Sequence, residues 1–148
     1  KSKKKSIMKK ILLTTFFLIA AFTTQSQNIF GKWHSTNEDT GEVDSVIEVY
    51  KKNGKAFAKV IEIKNPMRKN AVCDLCSEEN KNKPVLGLNI LTGLEKNGEE
   101  WSGGKILDPR NGKVYKCYIK LENENKLKIR GFIGFSLIGK TAYWTRAL

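Results

Sequence analysis

Three cysteines and a single histidine are the residues of this 148-residue chain with the most versatile chemistry. Cys73 and Cys76 form a C-x-x-C motif, whereas Cys117 and His34 stand apart from it in the sequence. The spacing of the pair fits thiol–disulfide exchange, zinc ligation or a structural disulfide. The surrounding residues decide between these three kinds of chemistry.

The residues after Cys76 argue against redox catalysis and favour a disulfide. A redox pair typically opens a helix whose N-terminus lowers the thiol pKa, but Ser-Glu-Glu-Asn follows here and its negative charge would raise that pKa. Zinc needs two further ligands, and strand alternation places the available donors, Cys117 and His34, on opposite faces of a sheet. We therefore predict no metal or cofactor and a local Cys73–Cys76 disulfide, which stabilises the fold by only about 2 kcal/mol.

No other group of residues forms a recognisable catalytic constellation. Cys117 alternates with lysines that point outward, so its thiol is expected to be buried and to pack as a small hydrophobe. His34 is not placed beside it, and no serine, histidine and aspartate form a triad. The carboxylates all have turn, loop or rim positions: Glu62, Asp74, Glu99, Glu100 and Asp108. The sequence therefore does not predict an enzyme.

The elements that position these residues have the alternating pattern of β-strands. Asn53-Gly54 is a strong hairpin signal between the strand patterns 46–50 and 56–63. The cross-strand pairs that this turn predicts are Glu48 with Lys59, Tyr50 with Phe57 and Ile47 with Val60. The apolar residues of the segment 65–84 follow neither the helical nor the strand period, which predicts a loop. A loop of that length is often functional or held in place by other contacts.

The stretch 101–133 predicts three consecutive antiparallel strands. A turn at 108–113 places Gly104 opposite Cys117, and a turn at 123–125 places Cys117 opposite Gly131. The lysines of these strands then point outward, as a half-buried sheet requires. With the other segments, we predict an all-β fold: an eight-stranded antiparallel up-and-down barrel, because closure removes exposed sheet edges.

The inner face of this predicted barrel carries the candidate ligand site. Gly104, Cys117 and Gly131 form a row of small residues, and a close-packed interior requires something large opposite such a row. Either Trp33 or Tyr115 folds over the row, or an apolar ligand fills the space and takes polar contacts from hydroxyls on the same face. The predicted ligand-binding residues are Trp33, Ala56, Ala58, Thr92, Ser102, Gly104, Tyr115, Cys117 and Gly131.

The N-terminal segment has the composition of a secretory signal peptide. Six lysines surround and precede a start at Met8, and an apolar run at 11–22 leads to a small-residue exit. We predict a signal peptide at 1–26, with residues 1–7 as an extension before the native start, and a single mature domain at 27–148. The apolar run is too short for a stable membrane span, so we expect a periplasmic or extracellular protein.

The positive charge of the chain is largely a property of that segment. Its six lysines account for half of the formal net charge of +12. Basic residues also alternate with aromatic residues between 116 and 130, as they do on nucleic-acid-binding surfaces. In an exported protein of mixed charge we interpret this pattern as a solvated sheet face, and we predict no nucleic-acid partner.

Five segments carry a resemblance to a known bacterial family. They are G-K-W from Gly31, V-C-D-L-C from Val72, K-P-V-L-G-L from Lys83, W-S-G-G-K-I-L-D-P-R-N-G-K-V-Y-K-C from Trp101 and R-G-F-I-G-F-S-L-I-G-K-T-A-Y-W-T-R from Arg130. Through them nearly all of the predicted mature chain resembles the exported family called domain of unknown function 2147. The resemblance implies a lipocalin-like barrel and no particular activity. It also implies that a C-terminal arginine, Arg146 rather than Arg130, packs on Trp33.

Two functional hypotheses follow. The first is a secreted barrel that binds a small, largely apolar molecule, and it requires a cavity. The second is an envelope protein that binds a protein partner through its outer face or the 65–84 loop, and it predicts a filled barrel with an exposed apolar patch.

Overall fold

The computed structural model describes residues 28–148, which form a closed antiparallel barrel in up-and-down order. Its strands are β1 Gly31–Thr36, β2 Val43–Lys52, β3 Lys55–Ile63, β4 Asn89–Asn97, β5 Glu100–Asp108, β6 Lys113–Asn123, β7 Lys126–Phe132 and β8 Gly139–Arg146. Two short 3-10 turns, Pro66–Arg68 and Glu78–Asn80, lie between β3 and β4. The predicted fold class is confirmed. The predicted signal peptide lies outside the described residues, and within 28–148 no helix is long and apolar enough to cross a membrane.

The β2–β3 hairpin has the predicted register. The Asn53-Gly54 turn takes positive φ angles of 50° and 78°, as the favoured two-residue hairpin turn requires. Lys59 lies opposite Glu48 with their charged atoms 3.2 Å apart, and the rings of Tyr50 and Phe57 stack at 5.8 Å. These outward pairs turn the alternate apolar residues of both strands into the core.

A β-bulge at Gly93 makes the predicted interior position of Thr92 wrong. Leu91 and Leu94 both lie opposite buried alanines of β3, so an extra residue is inserted into β4 between them. Gly93 has a φ of +72°, which glycine adopts without steric cost. The extra residue reverses the alternation, and Thr92 is exposed opposite Lys105.

A second bulge, in β5, has the same effect on Ser102. Gly103 has a φ of +80°, and the register shifts after Trp101. Trp101, rather than Ser102, therefore lies opposite Ile119 and is buried. Ser102 pairs with the exposed Glu95 on the outer face, so its predicted interior position is also wrong.

The two ends of the barrel differ in their connections. Tight two-residue turns join β2 to β3, β4 to β5 and β6 to β7 at one end, which we call the closed end. Longer loops join β1 to β2, β3 to β4, β5 to β6 and β7 to β8 at the other, which we call the open end. Long loops leave the interior at the open end less completely covered by strand side chains.

Trp33 and Arg146 seal the closed end. Trp33 is fully buried, and its indole N–H donates a hydrogen bond to the Ile29 carbonyl at 2.8 Å. The guanidinium of Arg146 lies 4.0 Å from the indole centroid, a cation–π distance. It also donates hydrogen bonds of 2.7 to 3.1 Å to the carbonyls of Asn28, Phe30 and Glu124. The pairing of Arg146 with Trp33 that the resemblance implied is confirmed.

The predicted row of small residues is present, and protein atoms fill much of the space beside it. Gly104 pairs with Cys117, and Cys117 pairs with Gly131. A Cβ at Gly104 would overlap the backbone of the β4 bulge, so that backbone occupies the space. A Cβ at Gly131 would make only ordinary contacts, with Ile106 and Tyr115. The Gly131 end of the row therefore has room that the Gly104 end lacks.

The loop between β3 and β4 is tied down. It contains the Cys73–Cys76 disulfide, which confirms the predicted pairing, and an isolated β-bridge joins Val72 to Pro84. Gly112 of the β5–β6 turn lies so close to the backbone of Leu75 that no side chain fits there. The loop therefore forms a wall at the open end instead of a free flap.

We expect removal of the disulfide to loosen this loop without unfolding the barrel. In the C73A/C76A variant the free energy of unfolding should fall by about 2 kcal/mol or less, because the closed loop is short. Hydrogen exchange measured by mass spectrometry should accelerate within 72–84 and stay slow in the strands. Reduction of the unsubstituted protein is the control and should give the same pattern. Loss of protection in all eight strands would contradict a local role.

Candidate functional site

The open half of the barrel encloses a cavity of about 710 Å³ that reaches the loops of the open end. Volumes of this size are typical of small-molecule sites, which span roughly 300–1,000 Å³. The deep wall of the cavity is apolar and consists of Ile47, Val60, Ile90, Leu107, Ile129, Ala142 and Trp144.

Strand alternation builds this deep wall. Ile47 lies opposite Val60 on the β2–β3 hairpin, and Ile129 lies opposite Ala142 across β7 and β8. Gly131 follows two residues after Ile129 and also lines the cavity. Gly131 has no side chain and Ala142 has only a methyl group, so both positions leave space on the β7–β8 side of the cavity.

Large side chains fill the closed half of the barrel. Those that are fully buried there are Trp33, Val49, Leu91, Leu94, Ile119 and Leu127. Interiors packed at this density have few voids larger than a water molecule. The cavity therefore lies next to this packed half and reaches the loops of the open end.

Charged residues surround the mouth of the cavity, and each base among them has an acidic partner. The three ion pairs, at 3.1, 3.1 and 2.5 Å, are Arg68–Asp44, Arg110–Asp108 and Lys140–Glu38. The hydrogen bond to Asp108 raises the pKa of Arg110 above its usual value, so the guanidinium stays charged. Among the cavity-lining residues of 28–148, the mouth thus offers no cation without a carboxylate partner.

Neutral hydroxyl groups supply the other polar contacts of the cavity. Ser45 is buried, and Ser35 lines the same side of the cavity from β1. Tyr115 lies nearer the mouth, where the Asn111 side-chain amide donates a hydrogen bond to its hydroxyl oxygen at 3.2 Å. Since that bond uses the oxygen as an acceptor, the phenolic hydrogen is available to a ligand.

Tyr115 and Gly131 are the two predicted ligand-binding residues that line this cavity. Four others are packed in the closed half: Trp33, Ala56, Ala58 and Cys117. The remaining three do not face open space: Gly104 is backed by the β4 bulge, and the bulges turn Thr92 and Ser102 outward. Seven of the nine predicted residues therefore lie outside this cavity.

None of the seven deep-wall residues is among the predicted ligand-binding residues, and neither is the buried Ser45. A signal for the open half was present, because the predicted hairpin register already paired Ile47 with Val60, and both line the cavity. All four longer loops lie at one end of an up-and-down barrel. Their position would have indicated which end of the barrel interior is open.

The thiol of Cys117 takes no part in the cavity. The side chain is 1% exposed, and burial raises its pKa to about 12. A thiol is nucleophilic only as the thiolate, so Cys117 is inert at neutral pH. This agrees with its predicted character as a small hydrophobe. Among residues 28–148, no cluster of histidine, cysteine and carboxylate side chains has a geometry that could hold a metal ion.

We expect Cys117 to resist thiol reagents in the folded protein. Ellman's reagent should not react with the native protein at pH values from about 7 to 9, because the folded thiol is neutral throughout that range. After unfolding without reductant it should titrate one thiol per chain, since Cys73 and Cys76 are paired. Because the unfolded thiol ionises first, stability should fall as pH rises above about 8.5. Rapid reaction of the native protein would contradict this burial.

Comparisons with known proteins agree with this architecture. Residues 31–146 match a family described as "Uncharacterized protein conserved in bacteria (DUF2147)". A solved structure of protein HP1028 from Helicobacter pylori, described as belonging to the lipocalin family, is similar with a TM-score of 0.71 and 22% sequence identity. The similarity covers 82% of this chain and 84% of that chain, and at this identity it shows the fold alone. A search of curated proteins found no match.

Proposed function

This chain belongs to the bacterial family DUF2147, and we propose that it is an exported, non-enzymatic barrel that binds one small apolar or weakly amphiphilic molecule. The observation that carries the proposal is the cavity of about 710 Å³ in the open half. An apolar pocket with a few convergent polar groups is the common form of a small-molecule site. The lipocalin-like architecture supports the same proposal, because barrels of eight strands can hold one small ligand.

The chemistry of the wall indicates how the ligand is oriented. Its apolar part occupies the deep wall around Ile47, Ile129 and Trp144, where burial of apolar surface contributes about 25 cal/mol per Å². Its polar end lies near Tyr115 at the mouth. The bases there are already paired with acids, so a carboxylate or phosphate would have to compete with Asp44, Asp108 or Glu38. A neutral polar end is therefore favoured.

Export is the part of the proposal that rests on the N-terminal sequence. The predicted signal peptide at 1–26 would direct the chain out of the cytoplasm. The Cys73–Cys76 disulfide is compatible with an oxidising compartment, where such bonds persist.

An envelope protein partner is the competing hypothesis. In its filled-barrel form it fits this structure less well, because the open half is not filled. Exposed apolar residues on the β3–β4 loop, Met67 and Leu75 among them, are the surface that such a partner would use.

The proposal is tested by titrating the purified protein with the fluorescent apolar probe N-phenyl-1-naphthylamine. We expect a saturable rise in fluorescence with one probe per folded chain, displaced by a long-chain alcohol. The carboxylate of the same chain length should displace it less well at neutral pH, because the rim bases are paired. Unsaturable binding, or no rise in fluorescence, would argue against a cavity ligand.

A further inference from the structure

The loop between β7 and β8, residues 133–138, exposes four large apolar side chains beside the mouth of the cavity. They are Ile133, Phe135, Leu137 and Ile138, and the fractions exposed range from 68% to 90%. The loop contains no charged residue. Exposed apolar surface of this kind usually marks a contact with a protein or a membrane.

Hydrogen bonds from the barrel fix the backbone of this loop, so its apolar side chains are exposed by an ordered conformation. Ile133 and Ile138 form a backbone hydrogen bond across its base, at 3.2 Å. The Arg130 guanidinium donates hydrogen bonds to the carbonyls of Ser136 and Leu137, at 2.6 and 3.1 Å. These contacts satisfy the loop's carbonyl groups from the barrel side. The side chains of Phe135 and Leu137 are left pointing away from it.

Two of the four side chains connect this surface to the cavity. Ile133 and Ile138 line the mouth of the cavity and are also exposed to solvent. The exposed apolar side chains of the loop therefore begin at the mouth of the cavity.

Lysines without acidic partners lie next to the loop on the neighbouring strands. Lys116 pairs in register with Phe132, the last residue of β7 before the loop, and Lys105 pairs with Lys116. Both lysines are exposed, and neither forms an ion pair with any residue of 28–148. Two like charges placed opposite each other in a sheet are destabilising, so this pair is better accommodated when an anionic surface approaches it.

Acidic residues lie on more than one side of the loop, including Asp108 at the end of β5. Glu38 and Asp39 belong to the β1–β2 loop, and Glu38 is paired with Lys140 of β8. Glu38 and Asp108 are each paired with a base, so the two lysines without acidic partners remain available to an anionic surface.

We propose that the apolar loop at 133–138 inserts into the interface of an anionic lipid bilayer while Lys105 and Lys116 contact its headgroups. Stable attachment to a bilayer generally requires two signals, and an apolar insertion next to basic residues supplies both. Docked in this way, the protein presents the mouth of its cavity to the membrane. This interaction goes beyond the proposed ligand binding, because it makes the membrane the place where an apolar ligand is taken up or released.

The test is co-flotation of the exported protein with vesicles of equimolar phosphatidylethanolamine and phosphatidylglycerol, compared with vesicles of phosphatidylcholine alone. We expect binding to the anionic vesicles only, weakened about tenfold or more in the F135S/L137S variant. The substituted side chains are exposed and the Arg130 bonds involve backbone atoms, so this variant should fold normally. All variants carry the same N-terminus, so its contribution to binding is constant.

A matched pair of charge reversals tests the electrostatic contribution. The K105E/K116E variant should also lose about tenfold or more in vesicle binding, whereas K51E/K52E, at the closed end, should bind like the unsubstituted protein. Equal binding by F135S/L137S, or no binding by the unsubstituted protein, would overturn the proposal. So would a concentration-dependent dimer that F135S/L137S abolishes, because a second copy would then cover the loop. Probe titration of F135S/L137S should be unchanged, which separates this proposal from ligand binding.

Discussion

Replacing Trp33 with alanine is expected to lower the free energy of unfolding by about 3–5 kcal/mol, the range found for deletion of a large buried aromatic side chain. Trp33 is 0% exposed, and its indole fills the closed end of the barrel. The substitution also removes the hydrogen bond from the indole to the Ile29 carbonyl and uncovers the guanidinium of Arg146. Denaturant unfolding followed by circular dichroism measures the change.

A double-mutant cycle with Arg146→Lys separates the cation–π contact from the general loss of packing. A lysine keeps the charge but not the three hydrogen bonds to carbonyls at the closed end. We expect the two substitutions together to cost less than the sum of their separate effects, because they share one contact. Phe135→Ala is the control, since it removes an exposed aromatic side chain and should change stability by less than about 0.5 kcal/mol. A similar loss in both aromatic variants would contradict the structural role of Trp33.

Replacing Ala142 with tryptophan is expected to weaken binding of the apolar probe about 10- to 100-fold. Ala142 lies opposite the inward-facing Ile129 and lines the cavity, so an indole at this position would occupy space that the ligand needs. Forcing extra volume into a filled site typically costs 1–3 kcal/mol, which corresponds to this range of affinity. The dissociation constant for N-phenyl-1-naphthylamine measures the effect.

Thr145→Trp is the matched control for that variant. Thr145 lies on the same strand, but its side chain is exposed on the outer face. An indole added there has the same size and should leave the dissociation constant unchanged. Thermal unfolding of both variants shows whether they are folded, since filling an open cavity should not destabilise the barrel. If A142W and the unsubstituted protein bind the probe with equal affinity, the probe binds outside this cavity.

The strand order and most of the register could be predicted from the sequence because turns and alternation are local. Asn53-Gly54 fixes the β2–β3 pairing, and the turns on either side of β6 fix Gly104, Cys117 and Gly131 as one row. The disulfide was predictable for the same reason, because its two cysteines are separated by two residues and the following acids disfavour other chemistry.

The site was less predictable, because two glycines change the register in ways that alternation does not reveal. Gly93 and Gly103 each mark an extra residue in a strand, so the residues before and after the bulge follow opposite alternation. Thr92 and Ser102 were misplaced for this reason. The position of the cavity also depends on which half of the barrel the large side chains fill, and that is a property of packing across all eight strands.

The central claim, that the open half of the barrel binds an apolar molecule, is tested most directly by NMR of the protein with labelled methyl groups and bound N-phenyl-1-naphthylamine. Nuclear Overhauser effects should connect the probe to methyl groups of Ile47, Val60, Ile129 and Ala142, which line the cavity. The methyl groups of Ala56, Ala58 and Leu127 in the closed half should show none. Contacts confined to exposed methyl groups, or to those of the closed half, would contradict the proposed site.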